Sequence, residues 1–141
     1  KYLDILAPLF DDYRMFYGRD SDPIAAREFL ADRIANGDSV LFLASDGATD
    51  AGVGFAQLYP SFSSVAMKRV WILNDLFVAD AARRSGVGRK LMDAVFAFAK
   101  STGAARIDLA TAKDNMSAKT LYEAAGYNLD TLFDHYKLPI G

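Results

Sequence analysis

Seven consecutive residues carry the densest chemistry in the chain, Arg83-Arg84-Ser85-Gly86-Val87-Gly88-Arg89. They follow the aromatic and branched run 71–78, which reads as a buried strand. They open a stretch with apolar residues at 87, 91, 95 and 98, one face of a helix. A strand, a glycine turn and a helix in that order make an anion site. The first N–H groups of a helix have no intrahelical partner, and the helix dipole places partial positive charge there. Glycine lets a phosphate approach the backbone closely, and the arginines add charge. A loop that merely turns the chain is the plain alternative. Two other phosphate loops are excluded. The dinucleotide fingerprint needs a small residue where Leu91 stands, and its first glycine lies nearer the strand end. The nucleoside-triphosphate loop needs Gly-Lys-Ser/Thr, which is absent.

Two further groups could do chemistry. Within Leu73-Asn74-Asp75, Asn74 cannot serve as a base, whereas Asp75 can, directly or through a water. Alternatively Asp75 only hydrogen-bonds a strand edge. Earlier, Tyr13, Phe16 and Tyr17 lie among Asp11, Asp12, Asp20 and Asp22. Aromatic faces and carboxylates suit a cation, and core aromatics beside a solvated acidic turn fit the same pattern. The single histidine, His135, falls in a predicted strand and reads as structural.

The elements that must position these groups follow from periodicity and punctuation. A helix is predicted over 3–17, ended by Gly18, and a second begins at Ser21-Asp22-Pro23 and stops at Asn36-Gly37. Strands are predicted over 40–44, 52–59 and 66–78, and their short connections imply an antiparallel meander. Helix 86–101 leads to strand 106–111, which the intervening helix makes parallel to the Trp71 strand. A helix over 116–125 and a closing pair of strands, 127–129 and 133–138, complete a mixed sheet with helices on both faces, an α/β (α+β) domain. No repeat, linker or low-complexity segment interrupts 1–141, so a single domain is expected.

Composition narrows the classes. Half of the 141 residues are hydrophobic, which supports a packed core. No apolar run is long enough to span a bilayer. A net charge of −2 gives no basic footprint for nucleic acid. The chain has no cysteine, which excludes disulfides, thiolate zinc sites and a cysteine nucleophile and fits a cytoplasmic location.

The run Arg83-Arg84-Ser85-Gly86-Val87-Gly88 after Leu76-Phe77-Val78 resembles motif A of the GNAT family of N-acetyltransferases, Arg/Gln-x-x-Gly-x-Gly/Ala after a Leu-x-Val-like strand. Asn115, Ala118, Leu121-Tyr122, Gly126 and Tyr127 fill the positions of its motif B. The resemblance covers about 71–127 and is loosely that of the histone- and polyamine-acetylating branch. It implies acetyl-coenzyme A as co-substrate and no metal. By resemblance, the amides of Arg83, Arg84, Ser85, Gly86, Val87, Gly88 and Arg89 hold the pyrophosphate. Leu76, Phe77 and Val78 hold pantetheine and the acetyl carbonyl on a strand that splays from its parallel neighbour. Asn115, Ser117, Lys119 and Tyr122 contact the coenzyme, with Tyr122 at the sulfur. The family normally begins with a strand, and none precedes residue 3, so a segment is expected upstream.

The implied reaction is attack of an amine on a thioester. An amine of pKa about 10.4 is neutral in only about one molecule in a thousand at pH 7. A base such as Asp75, or a desolvating pocket, must make up roughly 4–5 kcal/mol. Amides near Phe77 and Val78 would stabilise the developing oxyanion, and Tyr122 would donate to the departing thiolate. The expected acceptor is a small amine, polyamine or lysine side chain bound by Tyr13, Phe16, Tyr17 and Asn74. The alternatives are a non-catalytic acyl-coenzyme A sensor and an acetyltransferase of protein N-termini. Nucleic-acid and membrane partners are not expected, and a homodimer through the C-terminal strands is compatible.

Overall fold

A computed structural model describes residues 2–141. Its elements in order are α1 (Tyr2–Phe16), α2 (Pro23–Asn36), β1 (Val40–Ser45), β2 (Gly52–Ser63), β3 (Lys68–Val78), a 3-10 turn (Asp80–Ala82), α3 (Val87–Ser101), β4 (Arg106–Asp108) and α4 (Met116–Ala124). The residues fall into two compact units, one ending at Ala110 and the other comprising Thr111–Gly141. Among the described residues, no helix is long and apolar enough to cross a membrane.

The first unit is a four-stranded mixed sheet in the order β1-β2-β3-β4. The first three strands are antiparallel, and β4 runs parallel to β3. Strand alternation sends successive side chains to opposite faces. Leu41, Leu43, Phe55 and Phe77 pack with Leu6, Leu9, Phe10, Ala26 and Leu30 of α1 and α2. On the other face Phe42 and Trp71 meet Phe98 of α3, with ring centroids 5.8 and 5.2 Å apart. Trp71 Nε1 also donates to Thr102 Oγ1 at 2.9 Å, fixing β3 to the end of α3. The glycines that weaken β2 as a sequence signal have a packing role. A Cβ at Gly54 would lie 3.2 Å from Val87 and 3.3 Å from Leu91, so the missing side chain lets α3 sit against the sheet.

Caps form where the sequence places them. Asp22 accepts from Ala25 N–H at 3.1 Å ahead of Pro23, and Gly37 closes α2 in the left-handed region. Strand β4 ends at Asp108 rather than at the predicted 111, and its parallel pairing stops early, as the expected splay from β3 requires. The pairing joins Val70, Trp71 and Ile72 to Arg106, Ile107 and Asp108 and goes no further, so the last six residues of β3 lack a partner on the β4 side.

In the second unit, Asn115 caps α4 and Gly126 (φ +97°) ends it, with Tyr127 N–H bonded to Tyr122 O at 3.0 Å. The closing strands expected over 127–129 and 133–138 do not form, and residues 127–141 have no regular structure. His135 therefore lies in no strand. It is exposed, 3.5 Å from Asp130. The alternation is there, but no facing strand completes a ladder, and an unpaired strand has little stability of its own.

Candidate active site

The turn between β3 and α3 is shaped by two left-handed residues, Arg84 (φ +64°) and Gly86 (φ +85°). The first costs roughly 1 kcal/mol for a residue with a side chain. Ser85 Oγ donates to Ala82 O and holds the turn. Gly86 is the N-cap of α3, and no side chain caps that helix. A Cβ at Gly86 would meet nothing within 4 Å. Helical N–H groups without a side-chain cap, with open space before them, fit the needs of a pyrophosphate. Arg84 and Arg89 are exposed beside this turn, and Arg89 reaches Asp93 at 3.2 Å.

The C-terminal half of β3 supplies the neighbouring edge. Ala79 N–H bonds to Val53 O at 2.8 Å. The two-residue repeat sends the N–H of Phe77 the same way and those of Leu76 and Val78 to the opposite, open side. Val78 O accepts from Arg83 Nε at 3.0 Å, as that orientation requires.

Upstream, Gln57 faces Asp75 while Leu58 faces Leu73, so Asn74 is an extra residue, a β-bulge. Asp75 is only 5% exposed. Its Oδ2 accepts from Gln57 Nε2 at 2.7 Å and its Oδ1 from Asn74 Nδ2 at 3.1 Å. Gln57 is fully buried, and its Oε1 has no hydrogen-bond partner. Burial, and then the negative charge of Asp75, push the Tyr59 phenol up to about 12, so this hydroxyl stays protonated at neutral pH.

The end of α1 closes on the same half of β3. Tyr13 OH donates to Asn74 O at 3.4 Å, and its ring packs edge-on to Phe55 and Phe77. Tyr17, half-exposed, packs edge-on to Tyr13 and Phe16. Phe16 lies 6.3 Å from Phe77, and the Arg83 guanidinium sits over both rings at 5.3 and 5.8 Å. Arg83 also pairs with Asp80 at 2.8 Å. Together Asp12, Met15, Phe16, Phe77, Ala79, Asp80 and Arg83 line a cleft of about 500 Å³. Arg83 thus belongs to this cleft as well as to the turn. Asp11 is spent elsewhere. It is buried and accepts from Ser21 Oγ and Asp22 N–H, tying α1 to the start of α2.

In the second unit, Asn115 Oδ1 accepts from Ala118 N–H at 3.3 Å and Ser117 Oγ at 3.4 Å. Lys119 and Tyr122 are half-buried on α4, and the Tyr122 ring lies 6.1 Å from that of Tyr127. Burial pushes the Tyr127 phenol up to about 12. Among the described residues, no three His, Cys, Asp or Glu side chains cluster as metal ligands would.

Residues 6–127 match the model of the acetyltransferase (GNAT) family. The chain belongs to the GNAT family. It is 46% identical over 135 residues, 96% of its length, to the uncharacterized N-acetyltransferase YhfO of Bacillus subtilis, covering 89% of that protein. The crystal structure of a probable acetyltransferase, also 46% identical, superposes with a TM-score of 0.95 over 99% of this chain and 93% of that one. A shorter match, 35% over 88 residues, joins 62% of this chain to 55% of the D-amino-acid N-acetyltransferase HPA3 of Saccharomyces cerevisiae. This GNAT chain is thus an acetyltransferase, and its mixed sheet with helices matches the fold of the solved relative.

Gln57, Tyr59, Met15 and Asp80 join the neighbourhood without having been singled out from sequence. Gln57 left a trace, as the one amide within the apolar strand Val53–Tyr59. The others gave no signal, because the cleft depends on where α1 ends relative to β3.

Proposed function

We propose that this acetyltransferase moves the acetyl group of acetyl-coenzyme A directly to a primary amine held in the cleft between the end of α1 and β3. The observation that carries the reading is the open edge of β3 beyond Ile72, followed at once by the uncapped start of α3. Bound there, acetyl-coenzyme A supplies an activated acetyl thioester. The turn amides and Arg84 and Arg89 hold phosphate, and the outward N–H groups of Leu76 and Val78 donate along the open edge. Asn115, Ser117 and Lys119 add contacts from α4, and Tyr122 donates to the leaving sulfur. Asp75 is buried, with both oxygens already accepting amide hydrogens. It therefore receives the amine proton through a water on a remaining lone pair, while Gln57 and Asn74 fix its orientation. The cysteine-free composition suits a cytoplasmic setting.

The acceptor is a small cationic amine. Asp12 supplies negative charge beyond the Asp80–Arg83 pair, and the Phe16 and Phe77 rings, which already carry the Arg83 cation, line the same cleft. A second reading, an amino acid as acceptor, is favoured by Arg83 in the same cleft, where it could meet a carboxylate, and by the likeness to HPA3. Thiol release from acetyl-coenzyme A across a panel of polyamines, amino acids and lysyl and N-terminal peptides tests these together. Release with small amines supports the proposal. Release with peptide N-termini alone moves the acceptor assignment. Binding without release from any acceptor points to a sensor of the cofactor.

A further inference from the structure

A second cavity opens away from the cleft. Phe29 and Arg33 of α2, Asp38 of the loop that follows, and Tyr59 and Pro60 of β2 line about 450 Å³. It shares no lining residue with the cleft between α1 and β3. Along β2, Phe55 faces Phe77 of that cleft, Gln57 faces Asp75, and Tyr59 lies two residues further on, about 7 Å away. The buried Gln57–Asp75 pair therefore stands between the two openings.

The cavity carries both signs of charge, and neither is fully spent. Arg33 Nε lies 3.2 Å from Asp38 Oδ1, close enough to attract but off the line a hydrogen bond needs. The terminal guanidinium nitrogens and Asp38 Oδ2 make no hydrogen bond among the described residues. The guanidinium sits over the Phe29 ring at 5.0 Å, which fixes its position. The Tyr59 phenol, protonated at neutral pH, adds a donor within the fields of both Arg33 and Asp38.

We propose that this cavity is a second ligand site, and that it takes a free α-amino acid with an apolar side chain. The carboxylate accepts from the Arg33 fork and the Tyr59 hydroxyl, the ammonium donates to Asp38, and the side chain lies against Phe29 and Pro60. The volume is that of an ordinary small-molecule site. A zwitterion is favoured over an ion of one sign. A plain carboxylate would draw Arg33 away from Asp38 and leave that charge unpaired beside it, and a plain amine would do the same to Arg33. An amino-acid head group compensates both. Because the cavity is separate from the cleft proposed for the acceptor, binding here needs neither acetyl-coenzyme A nor an amine acceptor.

Calorimetry on the full chain without acetyl-coenzyme A tests this, with L-leucine as the probe beside isocaproate, which lacks its amine, and isoamylamine, which lacks its carboxylate. Leucine should bind about tenfold or more tightly than either analogue, since each forfeits a charge-assisted contact. Arg33→Gln and Asp38→Asn should each weaken leucine about tenfold or more, whereas Arg83→Gln, in the acceptor cleft, should leave its affinity unchanged. The analogues need no variant, so the comparison stands even where a substitution disturbs the fold. No leucine binding at millimolar concentration, or equal affinity for the three probes, would overturn the proposal. Leucine binding lost in Arg83→Gln but kept in Arg33→Gln and Asp38→Asn would also overturn it, and would seat the amino acid in the acceptor cleft instead.

Discussion

Asp75→Asn separates a base from a structural carboxylate, because the substitution keeps the side-chain shape. Both oxygens of Asp75 accept amide N–H groups, at 2.7 Å from Gln57 and 3.1 Å from Asn74. The new amide has one acceptor and one donor, so one contact becomes donor against donor. Asn74 is exposed and can turn its amide over, whereas Gln57 is fully buried. After that flip, two charge-assisted bonds of about 1.5–3 kcal/mol have become two neutral ones of about 0.5–1.5 kcal/mol. Burying an amide in place of a carboxylate returns part of the loss. The net cost is about 1–2 kcal/mol, well inside the roughly 5–15 kcal/mol of an ordinary domain, so the variant folds. Its rate at pH 7 should fall about 10²- to 10⁴-fold if Asp75 takes the amine proton. For an acceptor of pKa about 10.4, the neutral fraction grows roughly 300-fold between about pH 7 and 9.5. The variant's kcat/KM should climb by about that factor, and the wild type's by much less. Thiol release followed across this range, with urea unfolding as the fold control, measures both. A folded variant with the wild-type rate and pH profile would refute a base role and leave Asp75 as a strut between β2 and β3.

Tyr122→Phe should lower kcat about 10²- to 10⁴-fold with little change in acetyl-coenzyme A affinity, and should not recover at high pH, since its defect lies at the leaving group; steady-state kinetics beside calorimetry show whether it does. Gly86→Val meets no atom within 4 Å but forces a β-branched residue to a φ of +85°, so the turn must shift. Calorimetry should read an acetyl-coenzyme A affinity weakened about tenfold or more, and an unchanged value would remove this turn from the cofactor site. Tyr59 titrates near 12 folded and about 10 unfolded, so the unfolded chain releases this proton first. Its contribution is intact below pH 10 and lost as pH rises toward 12, and Tyr59→Phe should show a smaller fall in urea-unfolding stability over that window.

Much of this fold was legible because local signals agreed. Asp22-Pro23 and Gly37 bound α2, and apolar spacing through Leu91 and Val95 marks α3. The glycine turn ahead of α3 was legible for the same reason, since strand, glycines and helix follow in order. The end of β4 was not: the splay of β3 from its parallel neighbour was expected from the motif, but Leu109, Ala110 and Thr111 have ordinary strand character and nothing local says that β4 stops at Asp108. The closing strands failed for a related reason. Alternation from Leu132 to Ile140 shows that a segment can be a strand, while whether it is one depends on a partner. At the site, Asp75 could be picked out as a titratable group on a buried strand. Its clamp by Gln57 depends on the register set by a bulge at Asn74, which no residue type announces.

The central claim is direct transfer of acetyl from acetyl-coenzyme A to a small amine. Incubating the chain with acetyl-coenzyme A and its best amine, and quantifying free thiol and N-acetylated amine by mass spectrometry in the same samples, tests it most directly. The two products should appear in equal amounts from the first turnovers. Thiol released without acetylated amine, or acetyl-coenzyme A bound with neither product formed for any acceptor, would contradict it.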